Sequence, residues 1–187
     1  FTGSVSLRAF IGAITEDEYY DYVAIMLDAE AHRADLPVII FGQSQINPQI
    51  LKILKILRTQ NYRIGLISNA LPGLQLLLEA LEVTSLFDII VNSSEVKLAK
   101  PDPRIYKLAL EKLSLQAEEC LFIDDQPINV QAAQKLGFHA LHYVDPAHLI
   151  WWLHQHGIEI PEECEGEDQV GAGFRGDDLS PWTTDSR

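Results

Sequence analysis

The 187-residue sequence predicts an α/β fold around an open, mostly parallel sheet. Two observations carry this expectation. Short apolar runs at 64–67, 87–91, 121–123 and 140–144 alternate with segments whose apolar residues recur at helical spacing. Strands that alternate with helices in this way form parallel sheets, because each parallel pair needs a crossover connection. Polar residues then cluster just beyond three of the runs, and ligands in such sheets sit outside the carboxyl ends of the strands.

The elements follow in order. Residues 4–33 read as helical. Ser4–Phe10 gives way to Gly12, and Thr15-Glu16-Asp17-Glu18 has the form of a capping box. The helix expected next, Tyr19–Ala31, carries Tyr19, Tyr22, Val23, Met26 and Leu27 on one side. Residues 36–47 connect onward through Pro37, Gly42 and Asn47, and the apolar run Val38–Phe41 inside this connection has no assigned type. Asn47-Pro48 opens a helix with proline at its first position, running through Ile50, Leu51, Ile53, Leu54 and Leu57 and closed by Asn61. Ile64–Ile67 reads as a buried parallel strand. A helix over 71–82, a strand Phe87–Val91, a helix Pro103–Leu113 and a strand Leu121–Ile123 follow. Ile128–Leu136 is a helix ended by Gly137, Ala140–Val144 a strand, and Ala147–His154 a last helix. Beyond Pro161 the periodicity stops, and Gly, Glu, Asp, Ser and Pro dominate. Disorder is the expectation there.

Composition excludes some partners. The net charge is −13, from 14 Lys and Arg against 27 Asp and Glu, and the sequence pI is near 4.7. Nucleic acid and anionic membrane surfaces are not expected partners, because phosphate binding needs basic residues in excess. Much of the acidity lies in 159–187, so the body is milder than the total. The apolar share, 47%, is enough for a real core. Two cysteines, Cys120 and Cys164, suggest neither a disulfide scaffold nor a zinc site, and a reducing cytoplasm is expected. Cys120 reads as a small core residue. No apolar run approaches a membrane span, and no signal-peptide pattern is visible in the first residues given. The sequence starts at Phe1 and its only methionine is Met26, so it is not expected to begin where its gene begins.

Three groups of polar residues could do chemistry. Ser68-Asn69 follows a strand, and a hydroxyl and an amide can both donate to a phosphate oxygen; a turn or a helix cap would use the same pair. Lys100 stands before Pro101-Asp102-Pro103, where its ammonium could neutralise a phosphate or a carboxylate, or lie solvated on the surface. Asp124-Asp125 ends a buried strand. Adjacent carboxylates raise each other's pKa unless a positive group offsets them, and Mg²⁺, which takes oxygen ligands, is a natural partner. Asp is also a good helix cap. His139, His142, His148, His154 and His156 lack metal-ligand spacing and read as surface or packing residues. Trp151 and Trp152 read as core. Gly171-Ala172-Gly173 lacks the strand, lysine and helix of a phosphate loop.

The order of the three groups is informative. Ile67-Ser68-Asn69, Lys100-Pro101-Asp102 and Phe122-Ile123-Asp124-Asp125, with Asn129-Val130-Gln131-Ala132-Ala133 and Leu136-Gly137, resemble the second, third and fourth motifs of the haloacid dehalogenase superfamily. A response-regulator receiver uses similar residues, but with the acidic pair first and the lysine last. The resemblance covers roughly residues 8–155, and the helical lead-in resembles the small helical cap of many members. It implies a Rossmann-like core over 37–158, a partial cap over 1–36 and an acidic tail over 159–187. It also implies a Mg²⁺-dependent hydrolase, most simply a phosphatase of a small phosphorylated metabolite working through an aspartyl-phosphate. By the same resemblance Ser68 and Asn69 would bind the phosphoryl group and Lys100 would stabilise charge on the nucleophile and phosphate. Asp125 would bind Mg²⁺ directly, and Asp124 would be a further ligand or support it. The first family motif, Asp-x-Asp after an apolar strand, has no match; Asp17 and Asp21 sit in helical context. The family places that strand centrally, between those ending at Ile67 and Ile123, so the sheet is expected to lack its middle unless Val38–Phe41 or direct pairing fills it. Two other readings stay open: a non-catalytic binding or regulatory relic of the fold, and a dehalogenase.

Overall fold

The structure, a computed structural model, describes residues 3–37 and 46–161. Val38–Phe41 and the acidic tail beyond Pro161 lie outside the described residues. The chain opens with α1 (Gly3–Phe10) and α2 (Glu16–Met26), then a 3₁₀ segment, Glu30–Asp35. The capping box forms as its sequence requires. The Glu18 N–H donates to Thr15 Oγ1 at 3.1 Å, and the Thr15 N–H donates to Glu18 Oε2 at 2.7 Å. The buried face of α2 differs from the expected one. Tyr20 and Ala24 are buried while Tyr22, Met26 and Leu27 are exposed. Ala9 of α1 and Leu36 close over the Tyr20–Ala24 stripe, and that packing rotates the larger side chains outward.

The α/β part follows as α3 (Pro48–Thr59), β1 (Gly65–Ser68), α4 (Leu74–Ala80), β2 (Ile89–Asn92), α5 (Ser93–Val96), α6 (Pro103–Leu113), β3 (Leu121–Asp124), α7 (Pro127–Gln134), β4 (His139–His142) and α8 (Pro146–Gln155). Each strand and helix expected in this part is present, with ends shifted by at most three residues, whereas the expected helix Tyr19–Ala31 instead runs Glu16–Met26 and gives way to the 3₁₀ segment. All strand pairs are parallel. β1 pairs with β2 in the register Gly65–Ile89 to Ser68–Asn92, and β3 pairs with β4 from Leu121–His139 to Asp124–His142. The two halves stay separate: among the described residues no strand pairing joins β1 to β3. Direct pairing therefore does not fill the middle of the sheet. The exposure pattern agrees. No residue of β1 is fully buried, and Ile123 in the middle of β3 is 38% exposed, although strands of parallel sheets are normally covered on both faces.

Helices pack on both faces. On one, α6 and α7 enclose Ile105, Tyr106, Ala109 and Ala133 against Val91 of β2 and Phe122 of β3, so this layer spans both strand pairs. Tyr106, Phe122 and Phe138 meet edge to face with centroids 5.3–6.1 Å apart, each contact worth about 0.5–1.5 kcal/mol beyond area burial. On the other face, Ile53 of α3 packs with Leu141, Leu149, Ile150 and Leu153. Trp151 does not join this core. It is 45% exposed and stacks on His148, while Trp152 is partly buried. Cys120 is only half-buried, and burial still pushes its thiol pKa up.

Asp88 anchors the start of β1. Its Oδ2 accepts from the Ile64 N–H at 2.7 Å and from Arg58 Nη1 at 2.6 Å. The backbone donor, with help from Arg58, holds its carboxyl below the ordinary value. A depressed acid stabilises the fold fully above its unfolded pKa, about 3.9, and loses that contribution as pH falls through the folded value. Asp88→Asn is accordingly expected to flatten the acid limb of a stability–pH curve below about pH 4. An unchanged acid limb would show the contact to be inert.

Candidate active site

The polar groups expected from the sequence converge at the carboxyl ends of the strands. Lys100 and Asp124 meet directly, with Nζ and Oδ2 2.6 Å apart and side chains only 12% and 3% exposed. Lys100 lies in the loop that follows β2 and α5 while Asp124 ends β3, so this ion pair spans the gap between β1/β2 and β3/β4. Asp124 is fully engaged. Its Oδ1 accepts from the Gln126 N–H at 2.8 Å and from Asn129 Nδ2 at 2.9 Å. The lysine ammonium also lies 5.9 Å from the Phe122 ring centroid, tying the pair to the aromatic layer.

Asp125 has the opposite environment. It is exposed, and among the described residues its carboxylate meets only Gln126 Nε2, at 3.1 Å. Its backbone oxygen is 3.1 Å from His142 Nε2. The two adjacent aspartates thus have different work open to them: Asp124 is consumed by the protein, while Asp125 has free oxygens.

Asn69 also reaches Lys100. Its Nδ2 donates to the Lys100 carbonyl at 2.9 Å, and its Oδ1 accepts from the Lys100 N–H at 2.8 Å. One amide hydrogen remains free. Ser68 lies at the end of β1, half-buried, and its hydroxyl has no hydrogen-bond partner among the described residues.

Two supports were not singled out in the sequence. Asn129 holds Asp124, and the Tyr106 hydroxyl donates to the Asn129 carbonyl at 3.1 Å; burial, reinforced by the Asp124 charge, pushes the Tyr106 pKa up. Asn92, which ends β2, is buried together with Ser93 and Ser94 just beyond it. Asn92 caps α5 and donates to the Leu71 carbonyl at 2.9 Å, and Ser93 Oγ accepts from the Ala70 N–H at 3.1 Å. This network fixes the loop after Ser68-Asn69. The sequence signal was three small polar residues ending an apolar run, which is ordinary turn composition.

The helical lead-in touches the core beside this loop. Lys97, at φ 59°, donates from Nζ to the Gly12 carbonyl at 3.0 Å. Gly12 is itself at φ +58°, and a Cβ there would collide with Lys97 Nζ and the Ser94 carbonyl. A pocket of about 340 Å³ lies at this junction, lined in part by Thr15, Glu16, Pro72 and Lys97. Gly12→Ala is expected to cost about 1–3 kcal/mol from backbone strain and steric conflict, read as a lowered melting temperature. An unchanged melt would mean that the lead-in adjusts freely.

The residues fit a hydrated Mg²⁺ better than a protein cage. Among the described residues no three His, Cys, Asp or Glu side chains are grouped to hold a metal. Mg²⁺ usually keeps several waters and takes one or two carboxylates plus substrate phosphate, which the open Asp125 beside Asp124 can supply.

Parallel strands, a buried lysine–aspartate pair and an open carboxylate at one sheet edge define an α/β protein with a site suited to an anionic ligand and a hard cation. A family profile described as "Hydrolase: haloacid dehalogenase-like hydrolase" matches residues 3–137, and the chain belongs to that family. It is 36% identical over 115 residues to the Rhythmically expressed gene 2 protein of Drosophila melanogaster, covering 58% of this chain and 43% of the relative. It is 37% identical over 95 residues to a phosphoglycolate phosphatase of Yersinia pestis, covering 50% and 41%. The chain thus spans about two fifths of the length of these curated relatives. A solved HAD family enzyme of Bacteroides thetaiotaomicron, in complex with magnesium and inorganic phosphate, superposes with TM-score 0.68 at 26% identity over 80% of each chain. Among the described residues no helix is long and apolar enough to cross a membrane.

Proposed function

We propose that this chain carries the phosphate- and metal-binding part of a Mg²⁺-dependent phosphatase of a small phosphorylated metabolite. The observation that carries this reading is the buried Lys100–Asp124 pair beside the open Asp125 carboxylate. Similarity to a phosphoglycolate phosphatase and to a HAD family enzyme complexed with magnesium and phosphate supports it.

In this reading Ser68 and the free amide hydrogen of Asn69 donate to phosphoryl oxygens. The Lys100 ammonium, fixed by Asp124, opposes charge on the same group without reorganising. Asp125 holds Mg²⁺, which when bound supplies Lewis-acid neutralisation of phosphoryl charge. The family resemblance implies an aspartate nucleophile and an aspartyl-phosphate. The 187 residues contain no Asp-x-Asp, so the residues placed here hold and neutralise the group rather than attack it. The second reading is a binding or regulatory member of the fold without catalysis. The net charge of −13 argues against nucleic acid and anionic membranes as partners, and the sparse cysteines suit a reducing cytoplasm.

Calorimetric titration of the chain with inorganic phosphate, with and without Mg²⁺, tests the site. Release of phosphate from small phosphomonoesters by the protein isolated from its source tests the activity. Mg²⁺-dependent phosphate binding together with turnover is the expected result. Binding without turnover favours the regulatory reading, and no phosphate binding overturns both.

A further inference from the structure

We infer that Asn69 is chiefly a positioning residue: its side-chain amide clamps the Lys100 backbone and so sets where the lysine ammonium stands over the phosphate site. This deepens the proposed function and rests on it. A side-chain amide that gives one hydrogen to a residue's carbonyl and takes that residue's N–H forms a closed two-bond ring, and Asn69 does both at 2.9 and 2.8 Å. The ring defines two points on one peptide segment, which restrains its rotation as well as its distance. Lys100 needs that restraint. Its segment lies in the loop between α5 and α6, outside any strand, and its ammonium must reach Asp124 on the other strand pair. No strand pairing joins the two pairs among the described residues. The path Asn69, Lys100, Asp124, Asn129 is therefore a continuous polar link from β1 to α7 across the gap.

The alternative role for Asn69, donating to phosphate, is chemically narrower. Both Asn69 hydrogen bonds seen here leave only one donor hydrogen for a ligand, and its acceptor oxygen is already satisfied. Asn69 therefore contributes mainly through Lys100. An independent ligand and a residue acting through another are separable, because the second loses its effect when the residue it acts on is removed.

The test joins two measurements on the whole chain. The first is amide hydrogen exchange at Lys100 without ligand. Asn69→Ala should speed exchange of that N–H about tenfold by removing its acceptor. The second is a double-mutant cycle of Asn69→Ala with Lys100→Ala, read as affinity for inorganic phosphate with Mg²⁺ present. Asn69→Ala should weaken phosphate about tenfold in the native background and no more than about twofold when Lys100 is alanine. An equal loss in both backgrounds would make Asn69 a direct ligand and overturn the inference, as would unchanged exchange at Lys100. Should Asn69→Ala fail to fold, the unsubstituted chain decides on exchange alone: a Lys100 N–H that exchanges as fast as an unstructured amide overturns the clamp. If the unsubstituted chain binds no phosphate, the proposed function falls, while the exchange result still judges the clamp.

Discussion

Lys100→Ala is expected to destabilise the fold by about 3 kcal/mol and to weaken phosphate binding about 100-fold, to a level that calorimetry still reads. The stability loss comes from what is left behind. The Asp124 side chain is almost wholly buried, and Lys100 supplies its only opposing charge among the described residues. Removing one partner of a buried pair strands the other in a poorly solvating interior. The figure is at the low end for such pairs because Asp124 keeps its hydrogen bonds from Gln126 and Asn129. Coupling Lys100→Met with Asp124→Asn should recover most of the loss, since neither buried charge then remains, without restoring phosphate binding. Denaturant unfolding of both variants checks this. A single-variant loss under about 0.5 kcal/mol, the range of ordinary surface changes, would mean the pair is solvated and the site not preorganised.

Asp125→Asn separates binding from folding. Mg²⁺ affinity should drop about 100-fold or more, at or beyond the effect of losing a supporting group, with stability changed by less than about 0.5 kcal/mol. The exposed carboxylate contributes one contact to the fold, from Gln126 Nε2, so little is lost when its charge is removed. Its neighbour predicts the reverse: Asp124→Asn should disturb stability more through Lys100, because Lys100 loses its counter-charge. Calorimetric Mg²⁺ titration alongside thermal melts distinguishes them. Equal effects of the two substitutions on Mg²⁺ affinity would remove the division of labour between these aspartates.

Much of the site was legible because it follows strands. Ser68, Asn69, Lys100, Asp124 and Asp125 each stand where a buried apolar run gives way to polar residues or in the loop that follows, and parallel topology sends those positions to one edge. Asn129 and the Asn92–Ser94 network were not legible as support. Their residue types are those of any helix start or turn, and only their burial reveals that they brace the site. The outward turn of Tyr22, Met26 and Leu27 was hidden for a related reason. Helical spacing identifies an amphipathic face, but the neighbours choose which face is covered, and Ala9 with Leu36 selected the Tyr20–Ala24 side.

By itself the sequence determined the class of fold, the order of strands and helices, the capping box at Thr15 and the expectation that the sheet lacks a central strand. The first three depend on local spacing and on short-range hydrogen bonds that neighbouring residues specify, and the last on the resemblance to the family's sheet. Tertiary structure decided the division of labour within the site: Asp124 buried against Lys100, Asp125 left open, and Asn69 turned onto the lysine backbone. Those outcomes depend on which groups burial deprives of water. Burial is set by packing between elements that lie tens of residues apart, and neither spacing nor composition records it.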